Sequence, residues 1–262
     1  MATIHPTSVV EPSAQIAEGV VIGPYCYIEN GAVIGQDTRL ESHVTVRKDT
    51  TIGERNVIAQ GAILGGDPQD RKYAGQQTFL EIGNDNVIRE YVTIHRSSKE
   101  GEFTRVGDRN YLMAFVHLGH DVTVTNDVTI TNNVGIAGHA TIEEMVTIGG
   151  MAGVHQFARI GKLAMVGGMT RVVRDVPPFM IVEGHDQDVR DINAVGLRRI
   201  GVKPEARMAL HKACKLLFRS QLALGNAMEI VQREVMVTPE IEYLLAFLER
   251  LYKGKNGRGD QR

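Results

Sequence analysis

Residues 106–160 read VGDRNY LMAFVH LGHDVT VTNDVT ITNNVG IAGHAT IEEMVT IGGMAG VHQFAR I, and every sixth residue is aliphatic: Val106, Leu112, Leu118, Val124, Ile130, Ile136, Ile142, Ile148, Val154 and Ile160. The same phase extends back to Ile4 and forward to Val172. Of the 29 positions it marks, 26 are Ile, Val or Leu, and the exceptions are Asp70, Gln76 and Glu100. An amphipathic helix repeats near 3.6 residues and a half-buried strand repeats at two, so neither keeps this phase. One residue after the aliphatic, Gly occurs in 10 of 26 hexads; four residues after it, Ser, Ala, Val, Cys or Thr occurs in 22 of 26. This is the hexapeptide pattern of a parallel β-helix, with the aliphatic inward and a small residue at each tight corner. Three hexads make one triangular coil, and coils stack at the strand spacing of about 4.8 Å. The expected fold is mostly β, a left-handed parallel β-helix over residues 1–176, the left hand being the exception to the usual crossover rule.

Two stretches leave the pattern. Residues 65–81 (GGDPQDRKYAGQQTFLE) and 97–105 (SSKEGEFTR) are predicted to be loops projecting from the prism, where a rigid scaffold commonly carries function. Beyond Val172, Pro177 and Pro178 break the last coil. Residues 177–190 are expected to be a connector and 191–262 a C-terminal α-helical domain, with a short helix over 188–199. Lys203-Pro204-Glu205 starts a helix with Pro at its first position. A further helix is expected from Asn226 and a last one from Thr238-Pro239-Glu240, with Ile241, Leu244, Leu245, Leu248 and Tyr252 on one face. The stretch KGKNGRGDQR (253–262) reads as a frayed polar tail.

Composition excludes several classes. The 262 residues carry 29 Lys+Arg against 31 Asp+Glu, a formal net charge of −2, which argues against a general nucleic-acid binder. Cys26 and Cys214 are the only cysteines and lie far apart, so neither a disulfide framework nor a Cys-based zinc site is expected. The start, MATIHPTSVVEPSAQ, has no basic region followed by an apolar one, and no apolar run approaches the roughly 18 residues of a membrane span. The expectation is a cytoplasmic protein with no transmembrane segment.

Four of nine histidines fall between 117 and 155: His117, His120, His139 and His155. The hexads starting at Leu118, Ile136 and Val154 are spaced by 18, one coil each, so His120, His139 and His155 climb one side of the prism. Two chemistries compete for such a row. An imidazole can act as a general base toward a hydroxyl, and three imidazoles can hold a catalytic zinc, as in hexapeptide carbonic anhydrases. The spacing of HLGHD and the next His, 19 residues on, disfavours the zinc set, and no metal is expected. A non-catalytic hexapeptide scaffold would leave the histidines beside a charged loop unexplained. There is no G-x-x-x-x-G-K-[ST] loop for nucleotide hydrolysis.

QDRKYAG (69–75), IHR (94–96), HLGHD (117–121), AGHATI (137–142), IGGMAGVHQF (148–157), MVGG (165–168), RDVPPF (174–179) and NAVGLRRIG (193–201) occur in that order. By these motifs the chain closely resembles the UDP-N-acetylglucosamine O-acyltransferases of lipid A biosynthesis, over nearly its whole length. The resemblance implies a homotrimer with sites between adjacent prisms. It implies transfer of an R-3-hydroxyacyl group from acyl carrier protein to the 3-hydroxyl of UDP-N-acetylglucosamine, with no cofactor beyond the carrier's phosphopantetheine. It places His120 as general base, Asp121 beside it in an orienting or charge-stabilising role, and the backbone N–H of Gly138 as oxyanion donor. Gln69, Asp70 and Lys72 match substrate contacts of the loop. His117, His139, His155 and Gln156 match further pocket positions, and Asn193 and Arg199 match nucleotide or phosphopantetheine contacts. Gly168 matches the position whose side chain closes the acyl groove, and as glycine it implies a groove open to long chains.

Val195 and Ile200 depart from the acidic and basic residues some members carry there, so those nucleotide contacts do not transfer. Some relatives use a sugar with an amine at C3, and the sequence leaves O- and N-acylation both open. The later N-acyltransferase of the same pathway has an extra N-terminal uridine-binding domain, whereas here the hexads begin at Ile4.

Overall fold

The computed structural model describes residues 1–261. Successive short strands go in turn to three parallel sheets. The first sheet, of eleven strands, starts at Thr3–Ile4; the second, of nine, starts at Val9–Val10 and ends at Arg171–Val172; the third, of eight, spans Gln15–Ile16 to Arg159–Ile160. Register follows the hexad. Ile4 sits beside Ile22, and Leu118, Ile136 and Val154 stack in one column. The stacked aliphatics form one continuous core in which Ile28, Ile34, Ile88, Leu118, Ile136 and Ile148 are fully buried. Each buried Ile or Leu contributes roughly 1.5–3 kcal/mol, so regular repetition rather than any single layer stabilises the prism.

The corners explain the small residue of each hexad. The third residue after the aliphatic adopts a left-handed conformation, as at Tyr25 (φ 60°), Asp121 (φ 61°) and His139 (φ 62°). The residue after that points into the corner, where Ala32, Val116 and Ala140 leave no exposed surface. Three exceptions are asparagines that serve as a ladder. Asn56 Oδ1 accepts from the N–H and the side chain of Asn86 at 2.9 Å each, Asn86 Oδ1 accepts from Asn110 N at 2.9 Å, and Asn110 Oδ1 accepts from Val128 N at 2.9 Å. Buried amides are tolerated there because each finds its partners in the next coil.

Both excursions leave the same corner, between the second and third sheets, and both lengthen the chain by a multiple of six, so the phase survives them. They are shorter than expected: Phe79–Ile82 and Phe103–Val106 are paired strands, with Phe79 and Phe103 stacked at 4.9 Å. The looped stretches are 67–78 and 96–102.

The segment 177–190, expected as a connector, is half sheet. Met180–Glu183 continues the first sheet against Met165–Val166, and Asp188–Ile192 returns antiparallel to it. Residues 188–192 are therefore a strand, not the start of a helix. DVRDI pairs with Met180–Glu183 and so covers the last edge of the first sheet. The helices are α1 (Ala194–Arg199), α2 (Pro204–Phe218), α3 (Leu224–Glu234) and α4 (Pro239–Lys253). α3 begins two residues before Asn226, because Leu224 packs against the helical core and anchors the first turn. Thr238 caps α4, accepting from Ile241 N at 3.3 Å. Leu210, Ala213, Cys214, Val231, Leu244 and Leu248 pack together and onto Leu163, Phe179 and Met180, the last coil of the prism. Cys26 and Cys214 are both free and buried.

The stretch after α4 is not frayed. Lys255 and Arg258 form an antiparallel bridge, and Asp175 N donates to Gly257 O at 2.8 Å while Gly259 N donates to Asp175 Oδ2 at 2.8 Å. Polar composition disguises it, since its partners are backbone groups and charges of the prism rather than apolar surface. No helix is long and apolar enough to cross a membrane among the described residues.

Candidate active site

The corner between the second and third sheets gathers the candidate residues. His120 and Asp121 follow strand His117–Leu118, Gly138 and His139 follow Gly135–Ile136, and Gln156 and Phe157 follow Gly153–Val154. Stacking one coil on the next sets His139 edge-on to His120 at 5.1 Å and lays it flat on Phe157 at 4.6 Å. Beside this ridge lies a cleft of about 590 Å³, lined in part by Gln69, His117, His120, Gly138, His155 and Gln156.

His120 Nδ1 lies 2.6 Å from Asp121 Oδ2. Asp121 is half-enclosed and accepts from every side: Ser97 Oγ bonds Oδ1, Ser98 Oγ donates to Oδ2 at 2.7 Å, and Ser98 N donates to both oxygens at 3.2 and 3.3 Å. Its own N–H donates to Thr104 Oγ1 at 2.8 Å. Burial opposes its ionisation, but hydrogen bonds from His120, Ser97 and Ser98 outweigh that and hold the carboxyl well below the usual range. An ionised Asp121 accepts the Nδ1 proton of His120 and leaves Nε2 with its lone pair free, the tautomer a general base needs. The left-handed backbone at Asp121 recurs at most corners of the prism, so it is geometry of the scaffold and not strain peculiar to the site.

Gly138 packs directly on this imidazole. A Cβ at Gly138 would fall 2.6 Å from His120 Cε1 and 2.8 Å from Nε2, so only glycine fits. Gly119 is constrained likewise, since its Cβ would meet Gly138 N at 2.9 Å. The Gly138 N–H has no acceptor among the described residues.

His117 Nδ1 is 2.9 Å from Thr93 Oγ1, and burial, then the neighbouring His95, lowers its pKa. Burial likewise lowers the pKa of His139, against the attraction of Asp121, whose Oδ2 lies 3.5 Å from His139 Nε2. His120, Asp121 and His139 hold ligand atoms all within 4.8 Å of one another, the one three-residue metal-type cluster among the described residues. Its carboxylate oxygens are committed to Ser97, Ser98 and His120, an arrangement that orients a base rather than one that presents ligands. His155 is not part of the cluster, so the row of imidazoles expected from the 18-residue spacing divides: His120 and His139 sit at the corner, and His155 lines the cleft from the adjoining face.

Two elements fix the loop at 67–78. Arg96 is fully buried and donates to Gly65 O and Asp67 Oδ1 at 2.5 Å each, and His95 Nδ1 lies 2.6 Å from Asp67 O. Gln69 then reaches the cleft. Asp70 Oδ1 accepts from Lys72 N at 2.9 Å, and the Lys72 side chain is exposed.

A family model described as UDP N-acetylglucosamine O-acyltransferase, domain 2, matches residues 175–259, and a bacterial transferase hexapeptide model matches 1–36, 31–66 and 103–138. An acyl-[acyl-carrier-protein]--UDP-N-acetylglucosamine O-acyltransferase of Chlorobaculum parvum is 54% identical over 259 residues, 98% of this chain and 97% of that protein. The chain belongs to the UDP-N-acetylglucosamine O-acyltransferase family. A like-named protein of Trichlorobacter lovleyi is 52% identical over 96% of this chain and 98% of its own length. The solved structure of the Acinetobacter baumannii protein superposes with a TM-score of 0.90 at 40% identity, covering 94% of this chain and 96% of that one. The fold is thus the left-handed parallel β-helix of the acyltransferases with a helical end.

Not every position matched to the family lies in the cleft of the single chain. Asn193 caps α1, its Oδ1 accepting from Gly196 N at 2.9 Å and its Nδ2 donating to Leu163 O at 3.0 Å. Arg199 is exposed at the end of α1, and Gly168 is exposed at the corner between the first and second sheets, beside Gly150. Val195 and Ile200 are both exposed, on and just after α1. Ser97, Ser98 and Phe157 escaped the sequence reading. Counting hexads modulo three after removing the two insertions puts residues 94, 118, 136 and 154 in one column, and that arithmetic would have brought Ser97 to Asp121.

Proposed function

We propose that the chain transfers an R-3-hydroxyacyl group from the phosphopantetheine thioester of acyl carrier protein to the 3-hydroxyl of UDP-N-acetylglucosamine, the first step of lipid A biosynthesis, in the cytoplasm. The observation that carries it is the His120–Asp121 pair set against an acceptor-free Gly138 N–H in one cleft. His120 Nε2 takes the hydroxyl proton as the sugar oxygen attacks the thioester carbon. The Gly138 N–H donates to the oxyanion, and collapse expels the thiolate, which recovers the proton from His120. No cofactor or metal enters these steps. Gln69, Asp70, Lys72, His117, His139, His155 and Gln156 are assigned to the substrates.

The active unit is a homotrimer in this reading. Its support is an apolar ridge at the corner between the first and second sheets, where Tyr91, Phe115, Met151 and Met169 are at least half exposed and Tyr91 stacks on Phe115 at 5.2 Å. Packing a neighbouring prism there buries the ridge and brings Gly168 and Arg199 toward a partner's cleft. Acyl carrier protein, being acidic, is assigned to α2, where Arg207, Lys212 and Lys215 line a groove together with Ile192 and the exposed Met208.

The test is mass spectrometry of the product formed from UDP-N-acetylglucosamine, its 3-amino analogue and a mixture of 3-hydroxyacyl carrier proteins. An ester on the 3-hydroxyl is expected; an amide formed only from the amino sugar, or no product, overturns the reading.

A further inference from the structure

The segment 255–261 reaches the cleft from a hundred residues away in sequence. Three glycines shape it, and each has a geometric reason. A Cβ at Gly254 would fall 2.1 Å from Arg258 O; Gly257 has φ +70° and would meet Arg174 Cγ at 2.7 Å; Gly259 would meet Arg250 Cγ at 3.0 Å. The segment is clipped at both sides of Asp175, as described above. It is clipped again by Asp260, whose Oδ2 accepts from Arg159 Nη2 at 2.8 Å and Nε at 3.0 Å. Asp175 Oδ1 meanwhile accepts from Arg159 N at 2.8 Å, so strap and third sheet share one anchor.

The strap delivers Arg258, which is nearly buried at 9% exposure. Its Nη1 donates to His155 Nδ1 at 2.5 Å and to Gln156 O at 2.9 Å. A guanidinium has donors only and keeps its proton at any working pH, so both partners must be acceptors. His155 Nδ1 therefore carries no proton. Its 3.0 Å approach to Gln156 O is two acceptors held by one nitrogen and not a bond between them. The ring proton sits on Nε2, and the ring lines the same cleft as His120.

We propose that Arg258 is a positioning residue of the active site: it holds His155 in the Nε2–H tautomer, as a fixed donor to an oxygen acceptor of the nucleotide sugar. This rests on the proposed acyltransferase function. A ligand contact equal in ground and transition states changes KM and leaves kcat alone. The trimer of Arg258→Ala should raise KM for UDP-N-acetylglucosamine about tenfold, with kcat within about twofold and KM for acyl carrier protein unchanged. Added guanidinium should restore KM. Arg258→Lys should fall between, since a single ammonium on a flexible stem reaches the two acceptors less well. In ¹⁵N spectra of histidine-labelled protein, His155 should show a protonated Nε2 in the wild type and a tautomer mixture in Arg258→Ala.

An unchanged KM in both variants overturns the proposal, as does a wild-type His155 protonated on Nδ1. So does a fall in kcat that tracks lost thermal stability without guanidinium rescue, which marks a purely structural strap. Absence of transfer in the wild type is a different failure, that of the proposed function, and the spectroscopic result still decides the tautomer.

Discussion

Replacing Gly138 by alanine adds a single methyl group at the point where the site has no space. The new Cβ would lie 2.6 Å from His120 Cε1 and 2.8 Å from Nε2. Ordinary carbon contacts are about 3.5–4.0 Å, so the imidazole must retreat by about 1 Å. The backbone itself is not the obstacle, because Gly138 lies outside the positive-φ glycines. The ring cannot retreat freely, for its Nδ1 is tied at 2.6 Å to an Asp121 that Ser97 and Ser98 hold in turn. A misplacement of about 1 Å at a reacting group costs on the order of 10²-fold, so kcat of Gly138→Ala should fall by about that factor while the protein stays folded. Gly135→Ala supplies the comparison: it lines the same cleft, but a Cβ there meets nothing within 4 Å, so its kcat should stay within about twofold of the wild type. Steady-state kinetics with saturating donor and acceptor, alongside thermal melts, separate the two. A Gly138→Ala enzyme with wild-type kcat refutes the reasoning that His120 is the base and that Gly138 sets its position.

Other expectations are open to direct measurement. His120→Ala should lose about 10²–10⁴-fold in turnover with its melting temperature little changed, and near-normal turnover contradicts the general-base role. Asp121 has a folded pKa below its unfolded value of about 3.9, so its contribution to stability is complete above that pH and fades as pH falls through the depressed folded value. Asp121→Asn should therefore flatten the acid limb of the urea midpoint against pH, and an unaltered slope removes the ionised carboxylate from the account. Gly168→Met should shift preference toward shorter 3-hydroxyacyl donors by roughly 2–3 kcal/mol, at about 0.8 kcal/mol per excluded methylene; identical length profiles in donor competition place the groove elsewhere. Activity should survive exhaustive chelation, and loss that zinc restores would return the His120–Asp121–His139 cluster to a metal role.

Period and phase were enough to read the β-helix and its core positions, because hexads are local: each aliphatic is buried by the residue six or eighteen positions away, whatever lies beyond. The same locality misled at the end of the prism. Pro177-Pro178 reads as a stop, yet Met180–Glu183 finds a sheet edge to continue, and DVRDI becomes a strand only because that strand exists to pair with. Ser97 and Ser98 reach Asp121, one coil on, with a single inserted hexad folded out of the corner, a step that phase counting can follow. What tertiary structure alone decided are the contacts that return from a distant segment. Arg258 meets His155 only after four helices bring the chain back, 103 residues on. A hydrophobic repeat records which side of the chain faces inward. Polar partners across such distances leave no periodic trace, because a hydrogen bond is set by the position of its two groups in space and not by their spacing along the chain.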